Sequence, residues 1–263
     1  MPPVNSRHPF VDSEHPIALA HRGGARENSE NSLTAFRRAA DIGYRYFETD
    51  VRATADGVVM VFHDSSLNRV TDRVGRISAL PYDEVRKALI AGRDPVMRLE
   101  ELLAAFPESF FNIDVKDDHT LGPFIDLIER LNVLDRICVA SFSASRLRTI
   151  RKRWPEAATS LAPPEALSLW ASSQAGPLSP LAGRGIPRNA VAVQVPAFFR
   201  GITLVTPAFL KSAHDRGLAV HVWTVDHDEK MHRLLDLGVD GIITDRPTTL
   251  RRVLVDRGQW PSD

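Results

Sequence analysis

The 263-residue sequence predicts an α/β protein built as a (β/α)8 barrel, and three observations point there. Short β-rich apolar runs alternate with longer segments of helical period, as repeated strand–helix units of a parallel sheet require. The length is close to that at which one such barrel closes with little left over. Hydrophobic residues make up 43% and charged residues 25%, enough apolar mass to fill a barrel interior and clothe it with helices. A single domain over residues 1–263 is therefore expected.

Taken in order, the strand candidates are residues 17–22, 46–51, 58–63, 111–115, 137–141, 159–163, 190–195, 219–225 and 241–245. That is one too many for the barrel. Only residues 52–57 separate the second run from the third, whereas a parallel crossover needs about a dozen residues or more. Those two runs must form a hairpin, and Asp56-Gly57 is a hairpin turn signal. Eight parallel strands remain, so the prediction is a (β/α)8 TIM barrel with a β-hairpin and short insertion after the second strand. Helices show in the apolar spacing of Leu33, Phe36 and Ala40, of Phe124, Leu127, Ile128 and Leu131, and of Met231, Leu234 and Leu235. Gly43, Gly217 and Gly238 follow the last periodic residues, where a left-handed C-terminal cap belongs. Residues 64–98 and the Gly/Pro/Ser-rich stretch 173–189 read as loops or small insertions.

Charge excludes one class of partner. Thirty-three basic residues balance thirty-three acidic ones, so no broad positive field exists to hold a nucleic acid, and any phosphate must be recognised locally. The lone Cys138 sits in an apolar run and reads as a buried structural thiol. With no signal-peptide core at the start, and no run near the roughly 18 apolar residues of a membrane span, a cytoplasmic protein without a stable membrane anchor is expected.

The chemistry of such barrels lies at the C-terminal ends of the strands. There the sequence places His21 and Arg22, then Glu48 and Asp50, then His63, then Asp114 and Lys116. Glu48 and Asp50 are two apart on a strand and share a face, inward if Phe47 and Val51 face the helices. Two adjacent carboxylates persist most readily around a cation, and Asp114 would add a third hard oxygen suited to Mg²⁺ or Ca²⁺; solvated strand-end acids are the alternative. His21 and His63 suit proton transfer near neutrality, or serve as structural hydrogen-bonding groups. Arg22 and Lys116 suit phosphate oxygens, or surface ion pairs. Gly23-Gly24 would let the backbone approach a ligand.

Together the fragments AHRGG, SENSLTAF, FETDVRATADGVVMVFHD and LNRVTD, with VHVWTVDHDEKMHRLLDLGVDGIITDRP near the end, closely resemble the signatures of the glycerophosphodiester phosphodiesterase family. The resemblance implies the same barrel and hydrolysis of glycerophosphodiesters to glycerol 3-phosphate and an alcohol. It assigns metal binding to Glu48, Asp50 and Asp114, acid-base work to His21 and His63, and phosphate contacts to Arg22 and Lys116. Trp223 falls at an aromatic position lining the glycerol pocket, with packing in the barrel core as the alternative. Two positions depart from the pattern. Ser29 replaces a proline and is expected to begin the following helix. Asp114 replaces a glutamate, leaving its oxygens about 1.5 Å short and the metal in question. Lysophospholipid or sphingomyelin-type substrates are an alternative, with Phe198 and Phe199 placed either to meet an acyl chain or to pack as a lid. A catalytically silent phosphodiester-binding barrel is a second alternative.

Overall fold

The computed structural model describes residues 8–174, 185–187 and 189–261, so the predicted insertion at 173–189 lies largely outside the described residues. The strands are β1 (Ile17–His21), β2 (Tyr46–Ala53), β3 (Val59–Val61), β4 (Phe110–Val115), β5 (Ile137–Ala140), β6 (Ala158–Ser160), β7 (Ala190–Val195), β8 (Ala219–Val222) and β9 (Gly241–Thr244). All but β3 run parallel, and β1 pairs with both β9 and β2, which shuts the eight-stranded ring. The predicted hairpin is present: β3 pairs antiparallel to the end of β2, with Val51 opposite Val61, and Gly57 turns the corner at φ 83°. Pairing on two levels explains why β2 is eight residues long.

Helices alternate with the strands as α1 (Leu33–Asp41), α2 (Leu99–Ala105), α3 (Asp118–Leu131), α4 (Ala144–Arg153), α5 (Pro163–Gln174), α6 (Pro207–His214), α7 (Asp228–Leu237) and α8 (Pro247–Asp256). Each buries an apolar stripe against the outside of the barrel. Phe36 and Ala39 of α1 meet Phe47 and Val51 of β2, the outward pair that turns Glu48 and Asp50 inward. On α7 the predicted Met231, Leu234 and Leu235 are buried, and Gly238 ends the helix at φ 89° with its N–H on Leu234.

Residues 64–98 are more ordered than a loop. Two 3-10 turns, a helical turn (Tyr82–Val85) and a two-stranded ribbon (Leu89–Ile90 with Asp94–Pro95) enclose their own core of Leu67, Ile77, Val85 and Ile90. Met60 and Phe62 from the hairpin join that core, so the hairpin is part of a packed wall that fixes the following His63.

No local sequence pattern discloses how the lower barrel is filled. Phe10, on a 3-10 turn (Pro9–Val11), inserts against Tyr46 and Phe110 and packs with Leu19, Ala192 and Ile243. Burying one such ring is worth about 2–3 kcal/mol. Cys138 lies in the same layer, fully buried, and burial raises its thiol pKa far above the usual range, as a structural role requires. Among the described residues no helix is long and apolar enough to cross a membrane.

Candidate active site

The barrel register sets the site. His21 stands beside Glu48, which stands beside Asn112, and one level higher Asp50 stands beside Asp114. Alternation on each strand sends all five into the interior. They line a cavity of about 740 Å³ at the C-terminal mouth, together with Arg22, His63, Lys116 and Trp223. All eight residues singled out in the sequence thus converge on one cavity.

Within it the carboxylates have taken the cavity's own cations as partners. Lys116 Nζ lies 2.6 Å from Asp50 Oδ1 and 2.7 Å from Asp114 Oδ2, and Arg22 Nε lies 3.1 Å from Asp50 Oδ2. Asn31, held at φ 56°, donates to Asp50 Oδ2 and accepts from Thr49. Burial opposes the charge on Asp50, but Lys116 and Arg22 outweigh it and hold its pKa below the usual value. Glu48 is less well served. Burial and then the adjacent Asp50 push its carboxyl up to about 7. Burial likewise raises Asp114, with Lys116 offsetting only part, and its Oδ1 is buried without a hydrogen-bond partner.

Each histidine is oriented by a carboxylate. His21 Nδ1 is 2.6 Å from Asp245 Oδ1 at the end of β9, and His63 Nδ1 is 2.6 Å from Asp64 Oδ1. Placing the shared proton on Nδ1 leaves each Nε2 free. For His21 burial lowers the pKa, but the charge of Glu48, 3.6 Å from Nε2, and the Asp245 bond prevail and raise it. For His63 burial prevails over Asp50 and Asp64, and the pKa falls. Arg69 grips both Asp64 and Glu30, and Glu30 in turn accepts from Arg22, so the two histidine sides are linked through ion pairs.

Asp245, Asn31, Glu30, Asn112 and Gln194 were missed by the sequence reading. Asp245 was visible only as the end of a strand run. Gln194 donates to Asn112 at 3.0 Å across the barrel, a pairing no local pattern discloses. Two expectations are corrected. Ser32, not Ser29, caps α1, accepting from the N–H of Ala35. Gly23 and Gly24 are closely packed: a Cβ would come within 2.9 Å of Ala35 at the first and 2.7 Å of Pro247 at the second. Phe198 and Phe199 form a two-stranded ribbon with Ile202–Thr203 and are 60% and 53% exposed, so they are not a packed lid.

A parallel barrel with acids, histidines and phosphate-suited cations gathered at its mouth belongs among the phosphoric diester hydrolases. Residues 21–249 match the model of the glycerophosphoryl diester phosphodiesterase family. A protein of Mycobacterium tuberculosis named for glycerophosphodiester phosphodiesterase activity is 40% identical over 249 residues, covering 93% of this chain and 92% of its own. A Caldanaerobacter subterraneus glycerophosphodiester phosphodiesterase is 29% identical, covering 89% and 96%. A Silicibacter pomeroyi structure assigned to the glycerophosphoryl diester phosphodiesterases superposes with a TM-score of 0.77 at 25% identity, covering 95% and 97%. The chain belongs to the glycerophosphoryl diester phosphodiesterase family.

Proposed function

We propose that the chain, acting as one barrel domain, hydrolyses glycerophosphodiesters to glycerol 3-phosphate and an alcohol with the help of a divalent cation. The observation that carries this reading is the convergence of His21, Arg22, Glu48, Asp50, His63, Asp114, Lys116 and Trp223 on one cavity. Cys138, buried and alone, suits the reducing cytoplasm in which we place the reaction.

The donor set fits a hard cation by its chemistry. Three carboxylates line the cavity, one carries an orphaned oxygen on Asp114, and Glu48 is an acid short of countercharge. As they stand, with Lys116 between Asp50 and Asp114, no three such side chains among the described residues are gathered as a metal cage gathers them. Glu48, Asp50 and Asp114 would hold Mg²⁺ or Ca²⁺, which when bound supplies charge neutralisation at the phosphate oxygens.

The remaining work falls to the chain's own groups. Arg22 presents a planar fork and Lys116 a point charge to the non-bridging phosphate oxygens, stabilising the charge that builds there. Trp223 lines the glycerol side. His21, with Asp245 on Nδ1, uses Nε2 to take the proton of the nucleophile, a glycerol hydroxyl or water. The raised pKa of His21 opposes that role, and a cation beside Glu48, the first of the groups that raise it, would weaken that opposition while Asp245 keeps its share. His63 gives its proton to the departing alcohol, with Asp64 steadying the imidazolium.

Glycerol 3-phosphate release from several glycerophosphodiesters, assayed with and without chelator, tests the reading. Release that stops with chelator and returns with Mg²⁺ or Ca²⁺ is expected. No release from any of them with metal supplied would overturn it.

A further inference from the structure

Residues 64–98 supply none of the eight barrel strands, yet they reach the proposed reacting groups through two side chains. Asp64 steadies His63, and Arg69 closes the 3-10 turn Leu67–Arg69, whose Leu67 is buried in the segment's own core. The turn is thus anchored on the insertion while Arg69 reaches across to Glu30, in the loop after β1.

Arg69 makes two forks at once. Its Nε and Nη2 lie 2.6 and 3.0 Å from the two carboxylate oxygens of Asp64, and its Nη1 and Nη2 lie 2.8 and 2.7 Å from those of Glu30. All three guanidinium nitrogens are engaged, and the rigid plane that carries them fixes each carboxylate relative to the other. Asp64 in turn holds His63 Nδ1 at 2.6 Å, and Glu30 accepts from Arg22 Nη1 at 3.1 Å. One side chain therefore spans the interval between the proposed acid and a proposed phosphate contact.

Two further observations separate this role from simple structural support. The backbone of His63 has its own anchor, since Arg52 Nε donates to its carbonyl at 2.8 Å, so what Arg69 adds is the aim of the ring. Arg69 is also half-exposed, and ion pairs so placed contribute little to stability. Its hydrogen bond is the largest of the influences that hold Asp64 well below the ordinary carboxylate range, which keeps Asp64 an acceptor for His63.

Resting on the phosphodiesterase reading, we propose that Arg69 is a positioning residue whose two forks set where the His63 imidazole stands relative to a phosphate held by Arg22. It touches neither the substrate nor the reacting atoms. Poor leaving groups need the proton of His63 and good ones do not, so the effect of Arg69 is graded by the leaving group.

Arg69→Gln, Arg69→Lys and His63→Ala, each assayed on glycerophosphocholine and on a glycerophosphodiester of nitrophenol, test this. Arg69→Gln should lower kcat about 10–10²-fold with the choline ester, up to the usual cost of a ~1 Å misplacement, and less than about threefold with the nitrophenol ester. Lysine keeps the charge but cannot make two forks, so Arg69→Lys should recover little, and it carries the same comparison if Arg69→Gln does not fold. Guanidinium ion below denaturing concentrations should restore turnover to Arg69→Ala, and methylammonium should not. The His63 Nδ1 proton, followed by NMR without substrate, needs no turnover: it should exchange with water faster in Arg69→Gln than in wild type.

Equal losses of Arg69→Gln on both esters, with His63→Ala selective for the choline ester, would overturn the positioning role and leave the phosphodiesterase reading standing. Equal losses for His63→Ala as well would overturn both the acid and the residue said to aim it. If wild type hydrolyses nothing, the phosphodiesterase reading falls and the NMR proton decides Arg69, an unchanged exchange rate overturning it.

Discussion

The two walls of the cavity follow opposite physical rules. On the β1–β4 side, buried charges are tied to one another at 2.6–3.1 Å, and each position depends on its partner. On the β6–β7 side, Leu161 and Phe209 belong to the core, but Leu167 and Phe199 stand largely in water and depend on little but their own backbone. A buried charge that loses its partner is costly, whereas an exposed apolar side chain can be exchanged at small cost. The polar wall therefore tolerates little change, and the exposed part of the apolar wall tolerates more.

Substitutions on the polar wall should have the largest effects. His63→Ala should lower kcat about 10²–10⁴-fold with a choline leaving group, the usual worth of general acid catalysis. With a nitrophenol leaving group the loss should be far smaller, and equal losses on both would remove His63 from that role. Asp245→Asn should lower kcat about 10–10²-fold with KM nearly unchanged, because the tautomer and aim of His21 are disturbed while the phosphate contacts remain. A change in KM alone would make Asp245 part of substrate binding and break the comparison at that point.

Glu48 tests the same wall through stability. Its folded pKa of about 7 lies above its unfolded value near 4.5, so the stability it contributes is present below pH 4.5 and is lost as pH rises through 7. Metal-free Glu48→Gln protein should therefore be more stable than wild type at pH 8, by on the order of 2 kcal/mol, and hardly different at pH 5. Denaturant melts at both pH values check this, and an equal difference at both would show that the charge of Glu48 is not the cause. The smallest effect is expected from Asp114→Glu, which lengthens the reach of the third carboxylate and should tighten Mg²⁺ binding severalfold in a calorimetric titration.

What the sequence disclosed was whatever a local period can carry. Alternation placed Glu48 and Asp50 inside, the six-residue link forced the hairpin, and strand ends gathered Asp114 and Lys116. Contacts between distant segments were not legible. Asp245 reaches His21 across 224 residues, and Gln194 reaches Asn112 across 82. The Phe10 insertion depends on the size of the ring opening it fills, which no window of sequence reports. Ser29 was misread because Ser32 lies three residues on and fits the same capping chemistry better placed for Ala35.

The seam where β1 meets β9 carries a last consequence. His21 bonds Asp245, Arg26 donates its backbone N–H to Asp245, Tyr44 donates to Pro247, and Gly24 lies flush against the Pro247 ring. The first strand of the chain thus waits for the last before its histidine is aimed. A nascent chain on the ribosome holds almost every site residue long before it holds a working site, and the appearance of turnover is a clock for ring closure. Splitting the chain between β8 and β9 and mixing the halves turns that clock into a complementation assay.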